Sequence, residues 1–160
     1  MSAQLMDGKA LAAQKKAAIR AEVERLARTP GLAVVLVGEN PASQIYVRGK
    51  ARDCEECGIR CMDFRLPAQT TESELLTLIA ELNGRADVDG ILVQLPLPEG
   101  IRERRVLEAI APEKDVDAFH PENVGRLVQG QARYLPCTPA GVMELLRAAG
   151  VDPAGRRAVI

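Results

Sequence analysis

The chain of 160 residues has no tryptophan, two tyrosines, two phenylalanines and one histidine. With aromatics this scarce, a tyrosine among polar groups on one helix face stands out. A Ser–His–Asp relay would have to be built on His120, and no such arrangement forms around it; a loop position is expected for it. No sign of charge predominates: 21 Lys and Arg face 22 Asp and Glu, for a net charge of −1. Neither nucleic acid nor an anionic membrane surface is therefore expected as a partner. No apolar run approaches the ~20 residues of a membrane span. The first residues lack the basic-then-apolar form of a signal peptide, so a cytoplasmic protein is expected. The cysteines, Cys54, Cys57, Cys61 and Cys137, are expected to be free, buried thiols in a chain of this size without an export signal. Cys54-Glu55-Glu56-Cys57 is a C-x-x-C at the wrong end of a helix for a redox thiol, and no second C-x-x-C completes a zinc site. No metal is expected.

What is present alternates between helix and strand. Asp7 to Arg28 has apolar residues at helical spacing, Leu11, Ala12, Ala18, Ile19, Val23 and Leu26, with charges opposite. Leu32 to Val37 is a continuous apolar run and reads as a buried strand. Asn40 and Pro41 supply an N-cap and a first helical residue, opening a helix to about Cys57 that Gly58 closes. Ile59 to Leu66 alternates as a second strand. Thr71 and Glu74 form a capping box ahead of Leu75, Leu76, Leu78, Ile79 and Leu82. Asp89 to Pro98 is the third strand, and Arg102 to Ile110 a charged helix stopped by Pro112. Lys114 to His120 reads as a strand end or loop, and 121–138 as a loop too long to be idle connection. Thr138 and Pro139 open a last helix that ends before Gly150, and Ala158-Val159-Ile160 reads as the start of another strand. The expected fold is α/β, a three-layer domain with a mostly parallel sheet flanked by helices.

In such sheets ligands gather at the carboxyl ends of the strands. The helix opening at Pro41 puts Ser43, Tyr46 and Lys50 on one face. Lysine is the most adjustable acid/base of the three when desolvated. Gln94 ends the third strand, walled by Pro96-Leu97-Pro98, and a neutral amide there could orient the amine without an ion pair. Asp115 and Asp117 follow; a carboxylate such as Asp117 suits a ring with adjacent N–H donors, gripped by two hydrogen bonds. Chemistry alone thus points to a small-molecule enzyme with a lysine acid/base.

Four ordered segments carry a resemblance: Val37 to Lys50, Gly90 to Pro98, Pro112 to Asp117, and Pro136 to Gly141. Together they closely resemble the bifunctional methylenetetrahydrofolate dehydrogenase–cyclohydrolase family. The resemblance implies NADP-dependent oxidation of 5,10-methylenetetrahydrofolate and hydrolysis of the methenyl product to 10-formyltetrahydrofolate, with NAD an alternative cofactor. It assigns Lys50 as the catalytic lysine, Gln94 as the residue that holds and tunes it, and Tyr46 as the ring that stacks on folate. It places Asp117 on the pterin and Ser43 and Pro98 along the cleft. It implies a folate-binding catalytic domain over 1–136, with 137–160 a linking helix and the first strand of a Rossmann-type NAD(P)-binding domain. The family's glycine-rich cofactor turn and returning C-terminal helix have no counterpart here, so folate binding without hydride transfer is the expectation for this chain. A homodimer is implied for the full-length enzyme. Ala118 departs from the family's glycine and is expected to be strained by about 1 kcal/mol or more if the position needs φ > 0. The alternative is a non-catalytic folate-binding or partner-binding module that keeps the fold.

Overall fold

A computed structural model of the chain describes residues 5–157 and residue 159. The apolar run after Gly31 forms strand β1 (Gly31–Val37), in which every residue but Leu32 is buried. It is the middle of a parallel sheet of order β2-β1-β3, with β2 at Arg60–Leu66 and β3 at Gly90–Val93. Because alternate side chains of a strand point to opposite faces, β1 serves two cores. Ala33, Val35 and Val37 pack with Leu75, Ile79 and Leu82 of helix α3 (Glu72–Gly84) and Val106 of α4 (Glu103–Ala109). Val34 and Leu36 pack with Leu92 of β3 and Val47 of α2 (Pro41–Cys57). The three expected layers are thus α2, the sheet, and α3 with α4. The β1-α2-β2 and β2-α3-β3 crossovers run in opposite directions along the sheet and cover opposite faces, which gives them the same hand.

The local signals at the helix ends act as read. Asn40 Oδ1 accepts from the Ser43 N–H at 3.1 Å, and Gly58 closes α2 in the left-handed region at φ 75°. Thr71 and Glu74 form the reciprocal capping box, with Glu74 Oε2 accepting from the Thr71 N–H at 2.8 Å.

Other elements depart from expectation. Helix α1 (Gly8–Val23) stops short of Arg28 because residues after Val23 turn, with the Leu26 N–H donating to Val23 O. None of its residues is buried. It lies on the outside of α2 through ion pairs from Lys16 to Asp53 and Glu56, not against the sheet. Strand β3 ends at Val93, and the chain bends at Leu95 and Pro96, whose peptide is cis. The region expected as a loop after His120 opens with helix α5 (Pro121–Val128), which His120 caps by accepting the Glu122 N–H on Nδ1. Helix α6 (Cys137–Ala148) begins two residues before the expected Pro139, with Pro136 at its N-cap. A proline at its third position costs nothing, because the first N–H groups of a helix have no partner within it. The strand expected over 158–160 falls largely outside the described residues.

Two features fix the loops at the carboxyl edge. Glu72 accepts from the Arg102 backbone N–H at 2.9 Å and from the Arg102 and Arg105 guanidiniums, tying the start of α4 to α3. Ala118, 1% exposed, sits at φ 57°, so its position does need the left-handed region.

The Arg102 side chain and then its backbone N–H hold the Glu72 carboxyl down at about 2, against an ordinary 4.5. The folded chain therefore binds this proton more weakly than the unfolded chain. The contribution is complete above pH 4.5 and is lost as pH falls towards 2. Urea unfolding of Glu72→Gln should be easier than wild type at neutral pH, and the gap should close as pH falls from 4.5 towards 2; a gap independent of pH would contradict this. At Ala118, glycine relieves a left-handed cost of about 1–2 kcal/mol. It also loses a buried methyl worth about 0.8 kcal/mol and loosens the unfolded chain by about 0.4–1 kcal/mol. Ala118→Gly is expected within about 1 kcal/mol of wild type, whereas Ala118→Val should cost more than about 2 kcal/mol because a β-branched residue is an outlier there. Thermal unfolding of the two variants checks both.

Candidate active site

Parallel strands put the ends of β1 and β3 on one edge, and the turn after β1 starts α2 there. Gly38, at φ 81°, makes that turn, and a Cβ on it would stand 3.7 Å from Pro98 Cγ. Pro98, half-buried, thus closes over the end of β1. The stripe on α2 is graded by depth: Ser43 is buried at 3%, Lys50 is half-buried, and Tyr46 stands at the rim with 65% exposed. Ser43 shares the inward face with Val47 and Cys54.

Lys50 Nζ donates to Gln94 Oε1 at 3.0 Å. The Gln94 backbone N–H continues the ladder to Val35 O at 2.8 Å, so the side chain leaves from the last paired position beside β1. Its Nε2 donates to Leu95 O at 2.7 Å, which commits the amine end of the amide and leaves the oxygen for the lysine. Asp117 is half-buried nearby, and burial is the chief cause that pushes its carboxyl up from 3.8; Lys50 pulls it down and Asp115 adds to the rise. Lys50 and Gln94 are therefore joined by a hydrogen bond at this edge, with Asp117 within electrostatic reach of Lys50 and Tyr46 one helical turn away on α2.

The remaining candidates take other roles. Asp115, 2% exposed, turns inward, where its Oδ2 accepts from the His120 N–H at 2.8 Å and from Asn123 Nδ2 at 2.9 Å. His120, expected in a surface loop, is engaged as the α5 cap. Cys54 and Cys57 are buried and Cys61 half-buried, but Cys137 is exposed, correcting the expectation of four buried thiols. Burial pushes the Cys54 thiol up to about 12. Crowding around its sulfur also raises the Cys137 thiol, with Asp117 adding and Lys50 opposing, so this cysteine borders the same edge. Sequence reasoning missed it because Thr138-Pro139 looks like the helix start; the earlier Pro136 is the signal that sets Cys137 as first residue. Among the described residues no three His, Cys, Asp or Glu side chains form a metal-holding group, and no helix is long and apolar enough to cross a membrane.

Residues 6–117 match the family described as tetrahydrofolate dehydrogenase/cyclohydrolase, catalytic domain. A bifunctional protein FolD from Nitratidesulfovibrio vulgaris is 59% identical over 160 residues, 98% of this chain and 56% of the relative. One from Moorella thermoacetica is 56% identical, covering 100% of this chain and 58% of that protein. The crystal structure of the bifunctional FolD methylenetetrahydrofolate dehydrogenase/cyclohydrolase of Campylobacter jejuni superposes with a TM-score of 0.91 at 50% identity, over 93% of this chain and 54% of that one. The Trypanosoma brucei dehydrogenase–cyclohydrolase, solved with NADP cofactor and inhibitor, gives 0.91 at 37% identity over 97% and 55%. The chain thus spans a little over half the length of these relatives. With the match running through the strand edge that carries Lys50 and Gln94 to Asp117, the chain belongs to the tetrahydrofolate dehydrogenase/cyclohydrolase family.

Proposed function

We propose that this chain supplies the folate site and proton-transfer lysine of a bifunctional enzyme of one-carbon metabolism. The enzyme oxidises 5,10-methylenetetrahydrofolate to the methenyl form with NADP and hydrolyses that product to 10-formyltetrahydrofolate. The observation that carries this reading is the Lys50 Nζ to Gln94 Oε1 hydrogen bond at 3.0 Å, facing the half-buried Asp117. The Asp117 carboxylate accepts the adjacent N–H donors of the pterin ring, as a charge-assisted pair. Tyr46 stacks on the substrate from the rim, while Ser43 and Pro98 line the cleft. In hydrolysis, Lys50 as the neutral amine takes a proton from water as the oxygen bonds to the methenyl carbon. The C–N5 bond then breaks, the lysine's proton passes to N5 and the remaining hydroxyl proton leaves to solvent, so that the carbonyl of the formyl group forms on N10. Gln94 orients the amine without a counter-charge that would hold it permanently as ammonium.

NADP would accept the hydride in the oxidation, and the described residues do not fit it. The one strand–turn–helix at the site has a single glycine, Gly38, followed by the acidic Glu39, and Asn40 already occupies the helix N-terminus. Hydride transfer draws on the part of the relatives that this chain does not span. A cytoplasmic homodimer is the assembly this reading carries for the whole enzyme, by resemblance to the family.

Lys50→Met should slow decay of 5,10-methenyltetrahydrofolate about a hundredfold or more relative to wild type, as loss of a general acid/base does; equal rates would show that the lysine is misassigned. For Asp117, the raised carboxyl means that the folded chain binds this proton more tightly than the unfolded one. Ionisation thus costs stability as pH rises from 3.8 through the folded value. Asp117→Asn should therefore raise the thermal midpoint at neutral pH and leave it unchanged below pH 3.8, where the acid is neutral in both states. The same variant should bind a folate roughly ten- to a hundredfold more weakly, the worth of a hydrogen bond to a charged group. A variant both destabilised and fully able to bind would overturn the assignment.

A further inference from the structure

Asn123, in the first turn of α5, is wholly buried at 0% exposure. Its Nδ2 donates to Pro112 O at 2.8 Å and to Asp115 Oδ2 at 2.9 Å, which uses both amide hydrogens. Its Oδ1 is buried with no partner. Turning the amide over would not help, because both neighbours are acceptors. The group is thus held by what it donates to, at the expense of its own oxygen.

What it donates to is the loop that carries Asp117. Asp115 Oδ2 accepts a second hydrogen bond, from the His120 N–H at 2.8 Å, and the residue bridges in parallel to Ile91 of β3. Lys114 Nζ donates to Leu82 O, Asn83 O and Arg85 O at the end of α3. Positions 112, 114, 115 and 120 are therefore all tied down. Asp117 lies between them, and among the described residues its own carboxylate accepts no hydrogen bond. Its placement is set by the backbone it stands on.

We propose that Asn123 and Asp115 are positioning residues for Asp117: the buried amide holds Pro112 and the Asp115 carboxylate, that carboxylate holds His120 on the far side, and together they aim the Asp117 carboxylate into the cleft. This rests on the reading of Asp117 as the pterin-gripping group. A general structural role makes a different prediction, because it changes how much of the protein is competent, not how well each competent molecule binds.

Calorimetric titration of the chain with 5-formyltetrahydrofolate separates these by giving Kd and stoichiometry independently. Asn123→Ala and Asp115→Ala should raise Kd about tenfold or more with stoichiometry kept near one. Asp115→Asn should stay within about threefold of wild type, because an amide oxygen still accepts from both donors. Asn123→Ala added to Asp117→Asn should weaken binding no further than Asp117→Asn alone, the non-additivity of residues acting through one group. Should Asn123→Ala fail to fold, Asn123→Ser, which keeps one donor, is read in the same way. A reduced stoichiometry at unchanged Kd, or full additivity with Asp117→Asn, would overturn the proposal. So would wild-type affinity in the alanine variants. Failure of the wild-type chain itself to bind would overturn the underlying folate reading, and this proposal with it.

Discussion

Every ladder in the described sheet includes β1. Strands β2 and β3 each pair with it and not with one another, and both hydrophobic cores draw on its alternate side chains. A parallel strand buried on both faces cannot slip register without moving each apolar side chain out of one core and into the other. That constraint reaches the site directly. The last hydrogen bond of the β1–β3 ladder is the one made by Gln94, and the turn that ends β1 begins the helix carrying Lys50. The geometry of the lysine–glutamine pair is inherited from strand register, not from the flexibility of either side chain.

The elements legible in the sequence are those with strong local chemistry. Asn40-Pro41 and Gly58 bound α2, and Thr71 with Glu74 opens α3, because each cap is satisfied within a few residues of itself. The apolar run of β1 declares its burial. Helix α5 was not legible, since a histidine cap followed by a glycine-containing turn carries little helix signal. The stripe of Ser43, Tyr46 and Lys50 was legible as a face but not as a gradient of depth. That depth depends on where β3 and the loop after it lie, and those are long-range facts. Cys137 escaped because Thr138-Pro139 reads as the helix start, and Asn123 because it stands on the unread helix α5, although its partners Pro112 and Asp115 are only 11 and 8 residues away.

Stability and the proposed substrate grip pull against each other at Asp117. Burial, which suits a carboxylate to hold a ligand in a water-poor place, also makes its charge costly before a ligand arrives. The molecule surrounds it with heavily tied backbone and places a cation within electrostatic reach. Ala118, in its left-handed conformation, adds to the strain held in the same loop. Backbone strain and a costly charge are thus concentrated in a few residues, while the sheet beneath them is covered on both faces by apolar packing.

The bond from Lys50 to Gln94 has a property that an ion pair would lack. An ammonium donates one of its three hydrogens to Oε1, and a neutral amine still has a hydrogen to donate there, in a weaker bond because the charge assistance is gone. Because Nε2 is engaged with Leu95 O, the oxygen stays where it is in either case. The contact therefore keeps its partners and direction in both states of the lysine, though not its strength. In the proposed role of Lys50, the side chain thus keeps its bearing whether or not it carries the proton.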